Sequence, residues 1–211
     1  MEPSELRPAE QITRQNRLSA RLRPSFSNPY QKWIKATLVS TGEIIGIAGW
    51  MAPGNPIHNT WRITAADFYG WKGTLITEEE FDEMWKGVSP VWHDEVEKAD
   101  GFRKDVLGDE PHWFLAPLIT WPEYQGRGVG KRLLDWAIEQ ADATDPVTPM
   151  YLESAPTAVP VYRHVGFVQQ AAEFNYLRRG PLTHRTKAKE GKDDVKQVEV
   201  IVEKEVEAAV A

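Results

Sequence analysis

The hydrophobic positions of this chain fall into short β-branched and aromatic runs, separated by polar stretches and by segments of helical spacing. KWIKATLVS (32–40) and IIGIAGWM (44–51), joined through TGE (41–43), predict a hairpin closed by a short glycine-containing turn. Ahead of it, a weak helix is expected from about Pro8 to Arg23, with Ile12, Leu18 and Leu22 on one side, broken at SFSNP. Behind it, Ala52 to Gly73 is rich in Pro, Gly and Asn and reads as a long ordered loop. Thr77 with Glu80 forms a capping box that opens one helix. Ser89 followed by Pro90 opens a second, which runs to about Leu107 and stops at Gly108.

HWFLAPLIT (112–120) is an apolar run of strand length, and Pro117 within it demands a bulge or a missing pairing. A glycine loop follows, and then a helix with Leu133, Leu134, Ala137, Ile138 and Ala141 on one face. PMYLES (149–154) predicts a short strand, the C-terminal half of APTAVPVYRHVGF (155–167) a helix that stops at Gly166, and VQQAAEFNYLRR (168–179) a last strand or hairpin. From about Pro181 the sequence turns charged and reads as a solvated tail with some helix or strand tendency. The organisation expected is therefore a polar N-terminal segment (1–30), one α/β domain (31–180) and a charged C-terminal tail (181–211).

Composition narrows the chemistry. A chain of 211 residues suffices for one medium domain and a tail. A net charge of −6 argues against general nucleic-acid binding and is mildly compatible with a cationic acceptor. No stretch suits a membrane span, and the N-terminus lacks the apolar core of a signal peptide, so residence in the cytoplasm, or the nucleus, is the default expectation. The chain has no cysteine, which removes disulfides, thiolate metal sites and a cysteine nucleophile together. Its five histidines show no i,i+4 pair on a helix, so no metal is expected.

YQGRGVGKRLLDWAIEQAD (124–142) holds three glycines in five positions and places Arg127, Lys131 and Arg132 at the start of a helix. Cations at that positive end are unfavourable by roughly 0.3–1 kcal/mol each. A multiply charged anion such as a pyrophosphate, held by backbone N–H groups, would reverse that sign. The spacing fits neither the Walker A pattern nor the dinucleotide fingerprint. Solvated surface cations beside an ordinary turn are the plainer reading of the loop taken alone.

Two segments extend the pattern. HWFLAPLITWPEYQGRGVGKRLLDWA (112–137) and YLESAPTAVPVYRHVGF (151–167) resemble, in order and spacing, the two main motifs of the GCN5-related N-acetyltransferases (GNAT), most closely their fungal members. The resemblance covers about residues 111–168, and the 33–51 hairpin suits the family's second and third strands. It implies the GNAT fold, an α/β domain with a mixed, mostly antiparallel sheet flanked by helices, and acetyl-CoA as cosubstrate. By position, it implies that backbone groups of Leu118 and Thr120 pair with the pantetheine arm. Gln125, Gly128 and Gly130 stand for the Q-x-x-G-x-G element, and N–H groups from Arg127 through Val129 and Gly130 to Lys131 would hold the pyrophosphate.

Tyr162 falls on the tyrosine that in many relatives lies near the thioester sulfur, and a hydroxyl with a pKa near 10 can supply the leaving thiolate with a proton. Tyr162 equally reads as a core aromatic. Glu153 suits a base or a water-orienting carboxylate, and equally a capping or solvated residue, so the base stays unassigned. The absence of cysteine excludes a cysteine acyl-enzyme, so the resemblance implies direct transfer to a primary amine of a small molecule or protein. Only about thirty residues, with no strand-like run, precede the hairpin, so the first strand of the family is missing or rebuilt. The alternative is accordingly a truncated or degenerate relative that binds acetyl-CoA without turnover. Neither the acceptor nor the oligomeric state is legible.

Overall fold

The computed structural model describes residues 1–171, 173–181 and, for its backbone, 198–202. These residues divide into two compact units, one built from Met1–Pro29 and Pro56–Gly108, the other from Tyr30–Asn55 and the chain from Asp109 onward. Among them no helix is long and apolar enough to cross a membrane.

In the first unit, α1 (Gln11–Leu22) forms where expected but buries the unexpected side. Ile12 and Leu18 are exposed, while Arg17 and Arg21 are buried. Both guanidiniums find partners: Arg17 donates twice to Glu83 Oε1 (2.9 and 2.7 Å), and Arg21 donates to the Met84 carbonyl (2.5 Å) and to Glu2 Oε1 (2.8 Å). Paired, hydrogen-bonded charge can be buried where bare charge cannot. The 52–73 segment contains one short helix, α2 (Ala65–Phe68). The Thr77–Glu80 capping box opens α3 (Glu78–Trp85), and Ser89 Oγ accepts from the Val91 N–H to open α4 (Pro90–Leu107).

The second unit is a seven-stranded mixed sheet. Its strands are β1 (Gln31–Leu38), β2 (Ile44–Met51), β3 (Trp113–Thr120), β4 (Met150–Glu153), β5 (Val168–Gln169), β6 (Asn175–Arg178) and β7 (Val198–Val202). Their order is β5-β6-β4-β3-β2-β1-β7, antiparallel throughout except for β3 beside β4. No strand precedes β1 among the described residues; its outer edge pairs instead with β7, Ile34 opposite Val202 and Leu38 opposite Val198.

The parallel β3–β4 pair requires a crossover, and α5 (Val129–Asp142) provides it. Leu133, Leu134, Ala137 and Ala141 are fully buried against Ile34, Ala36, Ala48, Trp50, Leu115 and Leu152, with Ile138 packed at the margin. The N-terminal turn of this helix lies so close to β2 that a Cβ at Gly46 would stand 3.0 Å from Val129 Cγ1 and 2.9 Å from the Ile119 carbonyl. At the other end, buried Arg178 of β6 donates to both carboxylate oxygens of Asp142 at 2.7 Å and to the Val165 carbonyl at 2.9 Å, tying the helix to the sheet.

Gly46→Ala should therefore force the N-terminus of α5 off the sheet, at a cost of roughly 1–3 kcal/mol. Urea unfolding checks this, with a lowered midpoint and an unchanged slope expected.

Candidate functional site

The geometry that matters is set by β3. Its pairing with β2 shifts between Ala48 and Trp50: Ala48 lies opposite Leu118, but Trp50 lies opposite Leu115. Gly49 thus faces two residues, Ala116 and Pro117, which is a β-bulge at the proline that has no N–H to donate. The sequence expectation for Pro117 is met. On its other edge β3 pairs with β4 at only three positions, Trp113, Phe114 and Leu115. Past the bulge, β3 continues to Thr120 with β2 alone.

Which peptide groups face that open edge follows from alternation. Ile119 pairs with Ile47, and the Trp121 N–H donates to the Ile45 carbonyl at 3.0 Å, so these groups point toward β2. Those of Leu118 and Thr120 point the opposite way, into the gap between β3 and the end of β4. One of them is occupied: the Thr120 carbonyl accepts from Gln125 Nε2 at 3.1 Å. Gln125 therefore fastens the glycine loop onto the end of β3.

The loop then enters α5 without a side-chain cap, unlike α3 and α4. Gly128, at the N-cap, sits at φ +82°, a conformation natural to glycine, and the loop around it is exposed. The first N–H groups of the helix, Val129, Gly130 and Lys131, thus point out of an uncapped positive end. The cations behind it are held locally. Lys131 Nζ pairs with Asp135 one turn on, and the Arg127 guanidinium lies over the Tyr124 ring at 5.5 Å. Tyr124 in turn donates its hydroxyl to Glu43 Oε2 at 3.0 Å, and that carboxylate raises the tyrosine pKa.

Leu118, Val129 and Tyr162 belong to one hydrophobic core, so the strand, loop and α6 (Val159–His164) candidates lie on the same face of the sheet, the one covered by α5. Tyr162 is 6 % exposed and packs edge to face with Phe167 at 6.0 Å, so its ring is indeed a core aromatic. Burial pushes its hydroxyl up to about 12. Glu153 stands apart from it. Leu152 points into the α5 cluster, so alternation turns half-buried Glu153 to the opposite face, across from Asn175 at the end of β4.

That opposite face holds two residues on which the sequence carried no signal. Gln31, at the start of β1, has both carboxamide atoms buried and unbonded, and the Asn175 Nδ2 is buried in the same way. A lone polar residue at a strand end reads as solvated, and only the packing reveals otherwise.

Against known proteins, residues 107–178 match the sequence model described as Acetyltransferase (GNAT) domain. A Schizosaccharomyces pombe protein described as uncharacterized N-acetyltransferase C550.08 is 28 % identical over 142 residues, 67 % of this chain and 54 % of its own length. The chain thus spans about half the length of that curated relative. Among solved structures, a Corynebacterium glutamicum protein described as histone acetyltransferase HPA2 and related acetyltransferase aligns with a TM-score of 0.48 at 19 % identity, covering 86 % of this chain and 82 % of that one. A mosquito arylalkylamine N-acetyltransferase like 5b gives 0.40 at 18 % identity, covering 81 % and 73 % respectively.

Tyr162 also leaves a mark on alkaline stability. Its pKa in the fold, about 12, exceeds the unfolded value near 10, so the folded state holds this proton more tightly. The stability it contributes is complete below pH 10 and falls as pH rises toward 12. Urea unfolding at pH 9 and pH 11 should show a smaller alkaline loss for Tyr162→Phe than for the parent protein.

Proposed function

We propose that this chain, whose residues 107–178 match a GNAT acetyltransferase domain, transfers an acetyl group from acetyl-CoA directly to a primary amine. The observation that carries this reading is the coincidence of the open β3 edge with the uncapped start of α5. An extended pantetheine arm can add to the edge as a strand does, and a pyrophosphate suits the exposed N–H groups. A Cβ at Gly126 would meet nothing within 4 Å, so there is room for a ligand against the loop backbone.

The proposed roles divide as the geometry does. The N–H and C=O of Leu118 and the N–H of Thr120 hold the arm, while Gln125 positions the loop through the Thr120 carbonyl. N–H groups from Arg127 and Gly128 through Val129 and Gly130 to Lys131 hold the pyrophosphate. Bound there, acetyl-CoA supplies the activated acyl group.

At neutral pH roughly one in two thousand lysine-like amines is uncharged, so the acceptor must lose a proton before its nitrogen can bond to the acyl carbon. We assign removal of that proton to Glu153, directly or through water, from the face away from α5. As the C–N bond forms and the C–S bond breaks, the nitrogen gives up its second proton to solvent and the thiolate takes one. Tyr162 is protonated throughout this range. With a pKa about 12 against roughly 8.5 for a thiol, full transfer from Tyr162 is uphill by about a thousandfold or more. Its role is therefore a hydrogen bond to sulfur, with the final proton coming from solvent.

Acetyl-CoA at about a hundred times its Kd should stabilise the protein by roughly 2.7 kcal/mol. For this size that means a Tm rise of about 5–11 °C, absent with ATP or NAD; no rise with acetyl-CoA would reject the reading. Tyr162→Phe should lower kcat while leaving the Kd for acetyl-CoA unchanged, as isothermal titration and steady-state rates would show. An inert parent protein that still binds acetyl-CoA would instead mark a binder without turnover.

A further inference from the structure

We infer that Gln31 contacts the acceptor and selects an amine carried on an apolar stem; the inference rests on the acetyl-transfer reading above. Gln31 is 7 % exposed, and neither Oε1 nor Nε2 makes a hydrogen bond. Its place is specific. A Cβ built on Gly49 would stand 3.0 Å from Gln31 Nε2, 2.7 Å from the Ala116 carbonyl and 3.1 Å from Pro117 Cδ, so the carboxamide lies against the bulge at which β3 and β4 part.

A buried amide with both ends unsatisfied is strongly unfavourable in a fold that gains nothing from it. A ligand offering a donor to Oε1 and an acceptor to Nε2 removes that penalty. An uncharged amine beside an acyl carbonyl offers both. The side is right as well: Gln31 shares the face away from α5 with Glu153 and Asn175, whose Nδ2 is likewise buried and unbonded.

The chemical class follows from the neighbours. Gln31 pairs with Met51, and Met51 with Phe114, both buried and apolar, while Trp33 follows on the same face of β1. A neutral carboxamide on an apolar floor recognises one amine at the end of an aryl or alkyl stem. A polyamine would need several carboxylates to replace its lost hydration.

The test compares parent protein, Gln31→Met and Gln31→Leu, with saturating acetyl-CoA, phenethylamine as acceptor and spermidine as the polycationic comparison. Thermal melting and the Kd for acetyl-CoA are read alongside CoA release. The expected result is that phenethylamine is the better acceptor. Both variants should melt about 2–4 °C higher, because the unsatisfied amide is gone. They should keep their affinity for acetyl-CoA and lose about tenfold in kcat/KM for phenethylamine.

Higher melting with unchanged kcat/KM would overturn the inference, making Gln31 a purely structural oddity. Lower melting in both variants would also overturn it, since the protein itself would then be holding the amide. Preference for spermidine, or no transfer to phenethylamine by a parent protein that binds acetyl-CoA, would overturn it too. Failure of the parent protein to bind acetyl-CoA would bring down the acetyl-transfer reading first, and the binding titration tells that failure from the others.

Discussion

The parting of β3 from β4 is the constraint on which the rest of the sheet unit depends. β3 is hydrogen-bonded to β2 on both sides of its bulge, yet to β4 at only three positions before it. Pro117 cannot donate to a ladder, and the extra residue at the bulge bends the strand, so parallel pairing cannot resume. The consequence is an unpaired backbone edge in the middle of a sheet rather than at its rim. Sheet edges are usually blunted or covered; this one is left as a slot with Leu118 and Thr120 facing it.

The glycine loop makes the slot useful. Gln125 anchors the loop to the last carbonyl of β3, Gly128 turns the chain, and α5 begins with no side chain over its N-terminal N–H groups. Thr77 and Ser89 cap α3 and α4 with their side chains, whereas the N-cap of α5 is a glycine that has none to offer. The positive end is also less crowded with charge than its sequence suggests. Lys131 is paired with Asp135 and Arg127 rests on Tyr124 with its charge intact, so backbone dipoles and the Arg127 guanidinium both favour an anion there. The proposed ligand would lie along both strand edge and helix end, with Tyr162 on their side of the sheet and Glu153 on the other.

Much of this was legible in the sequence because it depends on local rules. The hairpin, both capped helices, the buried face of α5 and the irregularity at Pro117 each follow from residue type and spacing. What escaped depends on partners far away in the chain. Periodicity put Ile12, Leu18 and Leu22 on one side of a weak helix, but long-range pairs with Glu83 and Glu2 bury Arg17 and Arg21 while Ile12 and Leu18 stay exposed. The charged segment after Pro181 showed some strand tendency, but nothing local placed Val198–Val202 on the free edge of β1, since edge pairing is a matter of topology. Most of that segment lies outside the described residues. The buried state of Gln31 was invisible for the same reason: one glutamine at a strand end carries no signal until the bulge it packs against is in place.

Amide hydrogen exchange at single-residue resolution addresses the central claim most directly. Spectra recorded with and without acetyl-CoA should show strong added protection at Leu118 and Thr120 and at the first residues of α5, with Ile119, already bonded to β2, unchanged. Binding of acetyl-CoA without protection at Leu118 and Thr120 would contradict the account, because the open edge of β3 would then not be the place where the ligand lies.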